Sequence, residues 1–524
     1  MRIGVDVGGT NTDAALLDGR TVVASLKTPT TEDVGSGVVA SIRKLLGTAR
    51  IAPDAIDGVM IGTTQFTNAF VERVRLNDVA VIRICLPAAR SLNPLIDWPR
   101  DLLMAVGKRI FLVGGGYEFD GQLIAPLDEA AVAAAAREIR KAGITAIAIS
   151  CVFSPIDASM EQRAAEIVRN EIPGARVTLS SELGRMGLIE RENAAIMNAS
   201  LADLSERVVN SFGEALRSLG VSVPFFISQN DGTLMSADFV ARYPVLTFAS
   251  GPTNSMRGAA YLSGRKDAIV VDIGGTTTDV GVLMNGFPRE SSLAVDIGGV
   301  RTNFRMPDIL AIGLGGGTRV DPKDPRRIGP QSVGYRLPRE ALVFGGETLT
   351  TTDIAVAAGI AEIGDRDRVA HLDAAFVEAA VEEIHRKVEQ AIDRMKTSAD
   401  DTTVVLVGGG SVLIDRDLKG VGELLIPERS SEANAIGAAI AQVGGEVDRV
   451  FHYAETGRDA ALDQARAEAV RRVVDAGAEA DSVSIIEVDE LPLSYAPRGA
   501  VRVRVKAVGE LATVTQFQPE VEEV

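Results

Sequence analysis

Cysteine, histidine and tryptophan are nearly absent from this chain of 524 residues, which has two, three and one of them. Cys85 and Cys151 are too few for a disulfide framework or a cysteine-rich metal centre. Both lie in apolar stretches and read as plain core residues. His371, His385 and His452 are scattered, which argues against a histidine-built zinc site. Positive charge is also short: 54 lysines and arginines face 71 acids, a net charge of −17. That balance argues against a nucleic-acid surface or an anionic membrane as partner. It is compatible with an anionic nucleotide, because backbone amides and a bound cation supply positive potential locally. No uncharged apolar run reaches membrane-spanning length. The opening MRIGVDVGG reads as a strand with no signal peptide before it, so a cytoplasmic protein is expected. The length allows two or more domains with a substantial core.

What is present is a repeat. Val5 to Ala14 reads VDVGGTNTDA, and Val271 to Val280 reads VDIGGTTTDV, with seven of ten positions identical. Gly8, Gly9, Gly274 and Gly275 let the backbone approach a phosphate and aim its N–H groups at the oxygens. Thr10, Thr12, Thr276 and Thr278, with Asn11 and Thr277 between them, add further polar groups. Asp6 and Asp272 end their strands just before each turn. An acid beside a phosphate repels it unless a cation lies between, so these two imply Mg²⁺, held through water. Asp13 and Asp279 follow the turns; each either activates water as a base or bonds the turn's own backbone. A purely structural turn has no need to repeat its acid and threonines, so two turns gripping one phosphate chain are expected.

The segments around the repeat predict an α/β protein with duplicated lobes. Strand, glycine turn, strand, Asp18-Gly19 turn and strand make an antiparallel opening, followed by a helix at 34–46 and a strand at 57–61. An inserted α/β unit is expected at about 77–181, with a helix from Asp128 to Ala142 stopped by Gly143. Residues 190–219 read as helix. From Ala268 the opening scheme returns, a duplication at domain scale. Helices at 352–361 and 374–395 precede a strand at 403–407 that runs into Gly408-Gly409-Gly410-Ser411. The expected division is a first lobe at 1–189, a second at 190–447, and a C-terminal α+β tail at 448–524 with a helix at 460–476.

Paired glycine hairpins of this kind resemble the phosphate motifs of the actin, sugar-kinase and heat-shock chaperone ATPase superfamily, which has a ribonuclease H-like fold. VVLVGGGSVL, Val404 to Leu413, resembles its adenosine segment. Gly437 in EANAIGAAIA, which also holds Asn434, resembles the second helix connecting the lobes. NAAIMNASLADL, Asn193 to Leu204, is the expected first one. Within the superfamily the chain resembles the hydantoinase A/5-oxoprolinase family. MRIGVDVGGTNTDA, IGTTQFTNAFVER, SGPTNSMRGA and DILAIGLGGGTRVD carry that likeness, with GPQSVG and LPLSYAP in support. Thr318, Leu314 and the Thr253-Asn254 pair depart from the family pattern, at positions expected to face the cleft.

The resemblance implies ATP and Mg²⁺ as cofactors. It also implies a small cyclic amide as substrate, and a companion amidohydrolase subunit within a homo- or hetero-oligomer. Phosphorylation of the amide oxygen would create a good leaving group, a step that needs positioning and charge neutralisation more than a base. Asp6, Asp272, Asp13 and Asp279 are the expected catalytic group. Gly408 to Gly410, Ser411, Asn434 and Gly437 are expected at the nucleotide. Two alternatives stand beside this: the ATP-using subunit of a ketone carboxylase, and a regulatory actin-like ATPase switch. Thr63, Thr64 and Asn68 either line the cleft or cap a helix. Gly315, Gly316 and Gly317 form either an anion nest or a lid. Glu190, Arg191 and Glu192 read as a solvated helix start. Arg301 and Arg305 are either surface arginines or carboxylate binders.

Overall fold

A computed structural model describes residues 1–8, 11–30, 34–291, 294–493 and 499–512. Arg2–Val7 pairs antiparallel with Asn11–Asp18, which pairs antiparallel with Thr21–Pro29. On its other side Arg2–Val7 runs parallel to Gly58–Thr63, and Phe225–Ser228 runs parallel to that. The second repeat is built the same way. Ala268–Ile273 pairs antiparallel with Thr278–Met284, then Phe287–Pro288, and parallel with Thr402–Val407, which is followed by Val421–Leu425. Both sheets thus hold the sequential order third, second, first, fourth, fifth, and the duplicated actin-like fold is present in full. The central strands read as unbroken apolar runs because helices cover both faces.

The sheets do not follow the expected divisions at 190 and 448. Thr233–Ser236 extends the first sheet, and Gln442–His452, Ala500–Gly509 and Ser484–Pro492 extend it to nine strands. The boundary at 448 therefore falls inside one long strand, and the tail belongs to the first lobe. Residues 194–248 also share that lobe's apolar core, with Ile3, Val5, Phe66 and Phe70. The inserted unit is as expected, a four-stranded parallel sheet from Val79–Leu86, Arg109–Gly114, Ala146–Cys151 and Arg176–Leu179. Its helix Glu129–Lys141 is capped by Asp128, which accepts from the Ala131 amide at 2.9 Å.

The connection between lobes also differs from the expectation. Helix Leu188–Ser200, which holds the start of the anticipated first connector, packs on the inserted sheet. The helix that crosses Ala433–Ala439 is Ser250–Ser263. A Cβ on Gly437 would stand 1.8 Å from the Asn254 carbonyl oxygen, and one on Gly258 would stand 1.9 Å from that of Ala433. Only glycine permits that backbone approach. Gly437 thus serves the crossing and does not line the cleft.

Glu190, Arg191 and Glu192 do not form a solvated start. Arg191 and Glu192 are buried outright. Arg83, equally buried, donates from Nε to Glu192 at 2.7 Å, and Ser150 adds a bond at 2.6 Å. Arg191 reaches Ser180 at 3.0 Å and the Cys151 carbonyl at 2.6 Å. These bonds fasten helix Leu188–Ser200 to the inserted sheet.

Candidate active-site cleft

The two glycine turns close with the same bond: the Gly8 amide donates to the Asn11 carbonyl at 3.0 Å, the Gly274 amide to that of Thr277 at 2.9 Å. Both border one cleft of about 510 Å³, a size suited to a ligand of nucleotide dimensions. Gly8, Asn11 and Asp13 line it from the first lobe, and Asp272, Gly274, Gly275, Thr276 and Thr277 from the second. Gly9 and Thr10 lie outside the described residues. Thr12 and Thr278 are buried instead: Thr12 meets Thr30 at 3.2 Å, and Thr278 donates to the Leu314 carbonyl at 2.7 Å. The strand pleat turns them away from the ligand side.

Register sets the electrostatics. Asp6 stands directly opposite Asp13, and Asp272 directly opposite Asp279. Like charges so placed repel, and the two hairpins relieve this differently. In the first, Asn434 donates to Asp6 at 3.0 Å and to Asp13 at 2.9 Å, and Asn254 donates to the other Asp6 oxygen at 3.3 Å. Lys27 closes the set, 2.6 Å from Asp13. Burial and the Asp13 charge still push the Asp6 carboxyl up to about 6, against the two amide bonds. In the second hairpin burial, then the charge of Asp272, pushes Asp279 up to about 7. Burial also raises Asp272, countered by a bond from Ser255 and by Lys27.

The four aspartates therefore take different positions. Asp13 and Asp272 line the cleft. Asp6 and Asp13 are almost equally buried, 4% and 2% exposed, and share the Asn434 amide, but Asp6 and Asp279 do not line the cleft. Among the described residues no cluster of three or more His, Cys, Asp or Glu side chains could hold a metal ion by itself. Two carboxylates in a cleft fit Mg²⁺, which keeps its waters and takes other ligands from substrate phosphates. Asp13 and Asp272 are the residues placed to do this. Asp6, expected at the metal, does not line the cleft.

The triple glycine is neither nest nor lid. The Gly315 amide goes to Thr318 Oγ1 at 2.7 Å, that of Gly316 to the Gly274 carbonyl at 3.0 Å, and that of Gly317 to Gly275 at 2.7 Å. Thr352 holds the Gly316 carbonyl at 2.7 Å. Gly315 and Gly316 thus buttress the second phosphate turn from behind, with no amide left for a ligand. Thr318 and Leu314 are packing residues here; Thr253 bonds the Asn230 carbonyl and Asn254 bonds Asp6, so none of these departures faces the cleft. Gly408 and Gly409 line the cleft, whereas Gly410 and Ser411 are buried below it. Gly408 has φ +88°, and a Cβ there would strike the Asp272 carboxylate at 2.2 Å.

Thr64 and Asn68 line the cleft, and Thr63 is buried. At that helix Thr63 Oγ1 accepts from the Gln65 amide at 3.3 Å, whereas Thr64 makes no cap bond and points to the Val7 carbonyl at 3.4 Å. Arg301 is a surface residue beside Glu190 at 3.4 Å. Arg305 is tied to Asp231 at 2.8 Å and to Glu290 and Glu446. Lys506 reaches the same Asp231 at 2.9 Å, so this network ties the C-terminal strands to the second half. Lys27, Ser255, Tyr335, Ser430 and Ser431 line the cleft without having been singled out in the sequence. For Lys27 the sequence held no signal, because it stands opposite Asp13 only through a register shift in the hairpin.

Similarity to known proteins accords with this geometry. A hydantoinase/oxoprolinase N-terminal region profile matches residues 2–172, and a hydantoinase/oxoprolinase profile matches residues 191–363. The caprolactamase subunit alpha of Pseudomonas jessenii is 29% identical over 68% of this chain and 54% of its own. The acetophenone carboxylase gamma subunit of Aromatoleum aromaticum is 28% identical over 68% of this chain and 53% of its own. The chain spans little more than half the length of these curated relatives. The crystal structure of ATP-dependent caprolactamase from Pseudomonas jessenii superposes with a TM-score of 0.76 at 21% identity, covering 98% of this chain and 88% of that one, a likeness of fold. No helix among the described residues is long and apolar enough to cross a membrane. With its repeated hairpins and both profile matches, the chain belongs to the hydantoinase/oxoprolinase family.

Proposed function

We propose that this protein binds ATP with Mg²⁺ between its two glycine turns and uses the γ-phosphoryl group to activate a carbonyl oxygen. The observation that carries this reading is the pair of matched turns bordering one cleft, with Asp13 and Asp272 on its walls and Lys27 beside them. The amides of Gly8 and Gly274 close their own turns, and that of Gly275, at the tip of the second turn, suits a phosphate oxygen. Asp13 and Asp272 would hold Mg²⁺, which neutralises phosphate charge when bound. Lys27 adds a cation where charge develops during transfer, the kind of preorganised group that supplies most of such catalysis. Asp279, off the cleft wall and opposite Asp272, takes no part in the proposed chemistry.

A cyclic amide is the favoured acceptor, since phosphorylation of its oxygen makes the ring carbon open to water. Kinship with a caprolactamase subunit supports it. The comparable kinship with an acetophenone carboxylase subunit supports a second reading, activation of a ketone as its enol phosphate. Both relatives are named as subunits, so a companion chain is part of the proposal. The test is phosphate release from ATP across hydantoins, 5-oxoproline, lactams and ketones, with and without bicarbonate. Release triggered by a cyclic amide alone is expected. A requirement for ketone and bicarbonate would shift the assignment to the carboxylase, and slow release indifferent to every small molecule would overturn both.

A further inference from the structure

Most glycines around the cleft are explained by packing. Gly408, Gly410 and Gly315 each lie so close to neighbouring atoms that a Cβ would collide. Gly409 is different. It lacks a positive φ, and a Cβ there would meet no atom within 4 Å. Neither conformation nor packing demands glycine at 409, yet the residue lines the cleft. What remains is a ligand that must come close to the backbone.

Tyr335 is the second unexplained feature. Among the described residues lining the cleft it is the aromatic one, in walls otherwise made of glycine, one alanine, and hydroxyl, amide and charged groups. Its side chain is 68% exposed, although the backbone beneath it is fixed. The Val333 amide donates to the Gly317 carbonyl at 2.9 Å, the Gly334 amide to Ser332 Oγ at 3.1 Å, and the Arg336 amide to the Val333 carbonyl at 3.1 Å. Buried Val333 anchors the turn from below. A large ring held on a fixed backbone and left facing water is a contact surface awaiting a flat partner.

We infer that Tyr335 is the stacking platform for the nucleotide base, with the Gly408–Gly409 backbone as the other boundary of the nucleoside end. This rests on the ATP reading and adds to it the residue that distinguishes a nucleotide from a bare phosphate chain. Phosphate groups are served by turn amides, Lys27 and a cation, none of which offers an apolar face. A base needs one, and stacking on an aromatic ring is the sequence-tolerant way to supply it. The segment that carries Tyr335 also touches the second phosphate turn, where Ser332 Oγ donates to the Gly275 carbonyl at 3.4 Å. Base and phosphate subsites are thus built on one connected support.

The experiment is calorimetric binding of ATP, ADP and inorganic tripolyphosphate, each with Mg²⁺, to the full chain and to Tyr335→Ala, Tyr335→Phe and Gly409→Ala. Tyr335 is exposed, so its variants should fold. Tyr335→Ala is expected to weaken ATP and ADP by about 5- to 150-fold, the range of a lost base stack. Tripolyphosphate binding should not change, and Tyr335→Phe should match the parent for all three ligands. Gly409→Ala should weaken ATP and ADP more than tripolyphosphate. Unchanged ATP affinity in Tyr335→Ala would overturn the platform. So would an equal loss for tripolyphosphate, which would assign Tyr335 to support of the phosphate turn. A parent chain that binds neither nucleotide nor tripolyphosphate is a separate outcome, and it would remove the ATP reading together with the inference.

Discussion

Replacing Asp279 with asparagine should stabilise the protein, and by an amount that grows with pH. Asp279 faces Asp272 across the hairpin, and burial with that neighbour pushes its carboxyl up to about 7 from an ordinary 3.8. The unfolded chain binds this proton less tightly than the folded one. Stability from the group is therefore fully present below its unfolded value and is lost as pH rises through about 7. A shift of about three units corresponds to roughly 4 kcal/mol at 1.36 kcal/mol per unit. As a whole residue Asp279 is partly exposed, so solvent screening reduces this to about 2–3 kcal/mol. Asparagine removes the charge but leaves an amide to satisfy, which returns about 1 kcal/mol. The advantage of Asp279→Asn should widen by about 1–2 kcal/mol between pH 5 and pH 8, or about 1–2 °C in Tm for a chain of 524 residues. Thermal unfolding without nucleotide or Mg²⁺, followed by circular dichroism across that range, measures it. A difference that stays flat or narrows with pH would refute the electrostatic account. ATP turnover should survive the substitution.

Three further substitutions probe other parts of the structure. Lys27→Met should lower the rate of phosphate release by about 100-fold or more and, because the Asp13 side chain in this bridge is only 4% exposed, should also cost about 1–3 kcal/mol by leaving a buried carboxylate without its cation; single-turnover assays and thermal unfolding separate the two. Glu192→Ala leaves the buried Arg83 guanidinium without its carboxylate and should cost about 3–5 kcal/mol in urea unfolding, whereas Arg83→Met with Glu192→Leu should recover most of it. Gly437→Ala places a methyl 1.8 Å from the Asn254 carbonyl; a loss of about 1–3 kcal/mol or more is expected from overpacking, read as a lower Tm together with weaker ATP binding.

The repeat was legible because backbone chemistry repeats with it. Glycine after a strand, an acid before it and an acid after it dictate a tight antiparallel hairpin, and the structure closes both turns with the same amide-to-carbonyl bond. Local signals also placed helix Ala374–Met395 to the residue, since its apolar period and Asp373 cap lie within one segment. The lobe boundaries were not legible. Strand Gln442–His452 pairs with Ala500–Gly509 and Thr233–Ser236, and no local pattern announces which sheet a distant strand will join.

The same distinction divides the site. Which side of a strand a residue occupies depends on register, and a one-residue slip reverses it. Counting back from the Asp18-Gly19 turn along a regular hairpin would pair Asp13 with Leu26 and turn Lys27 away. The register shift between Leu16 and Leu17 moves the pairing by one, and Lys27 arrives opposite Asp13. The cation of the cleft thus depends on an irregularity farther along its own strand pair. The acids show the complementary case. Their spacing around each turn is identical, yet Asp6 is withdrawn by Asn254 and Asn434, which arrive from two helices of other parts of the chain. The repeat gives both lobes the same hairpin, yet of the four acids Asp13 and Asp272, one from each pair, line the cleft. On the proposed reading, symmetry in the sequence would supply the phosphate grip, and what packs around each hairpin would decide which carboxylates take part.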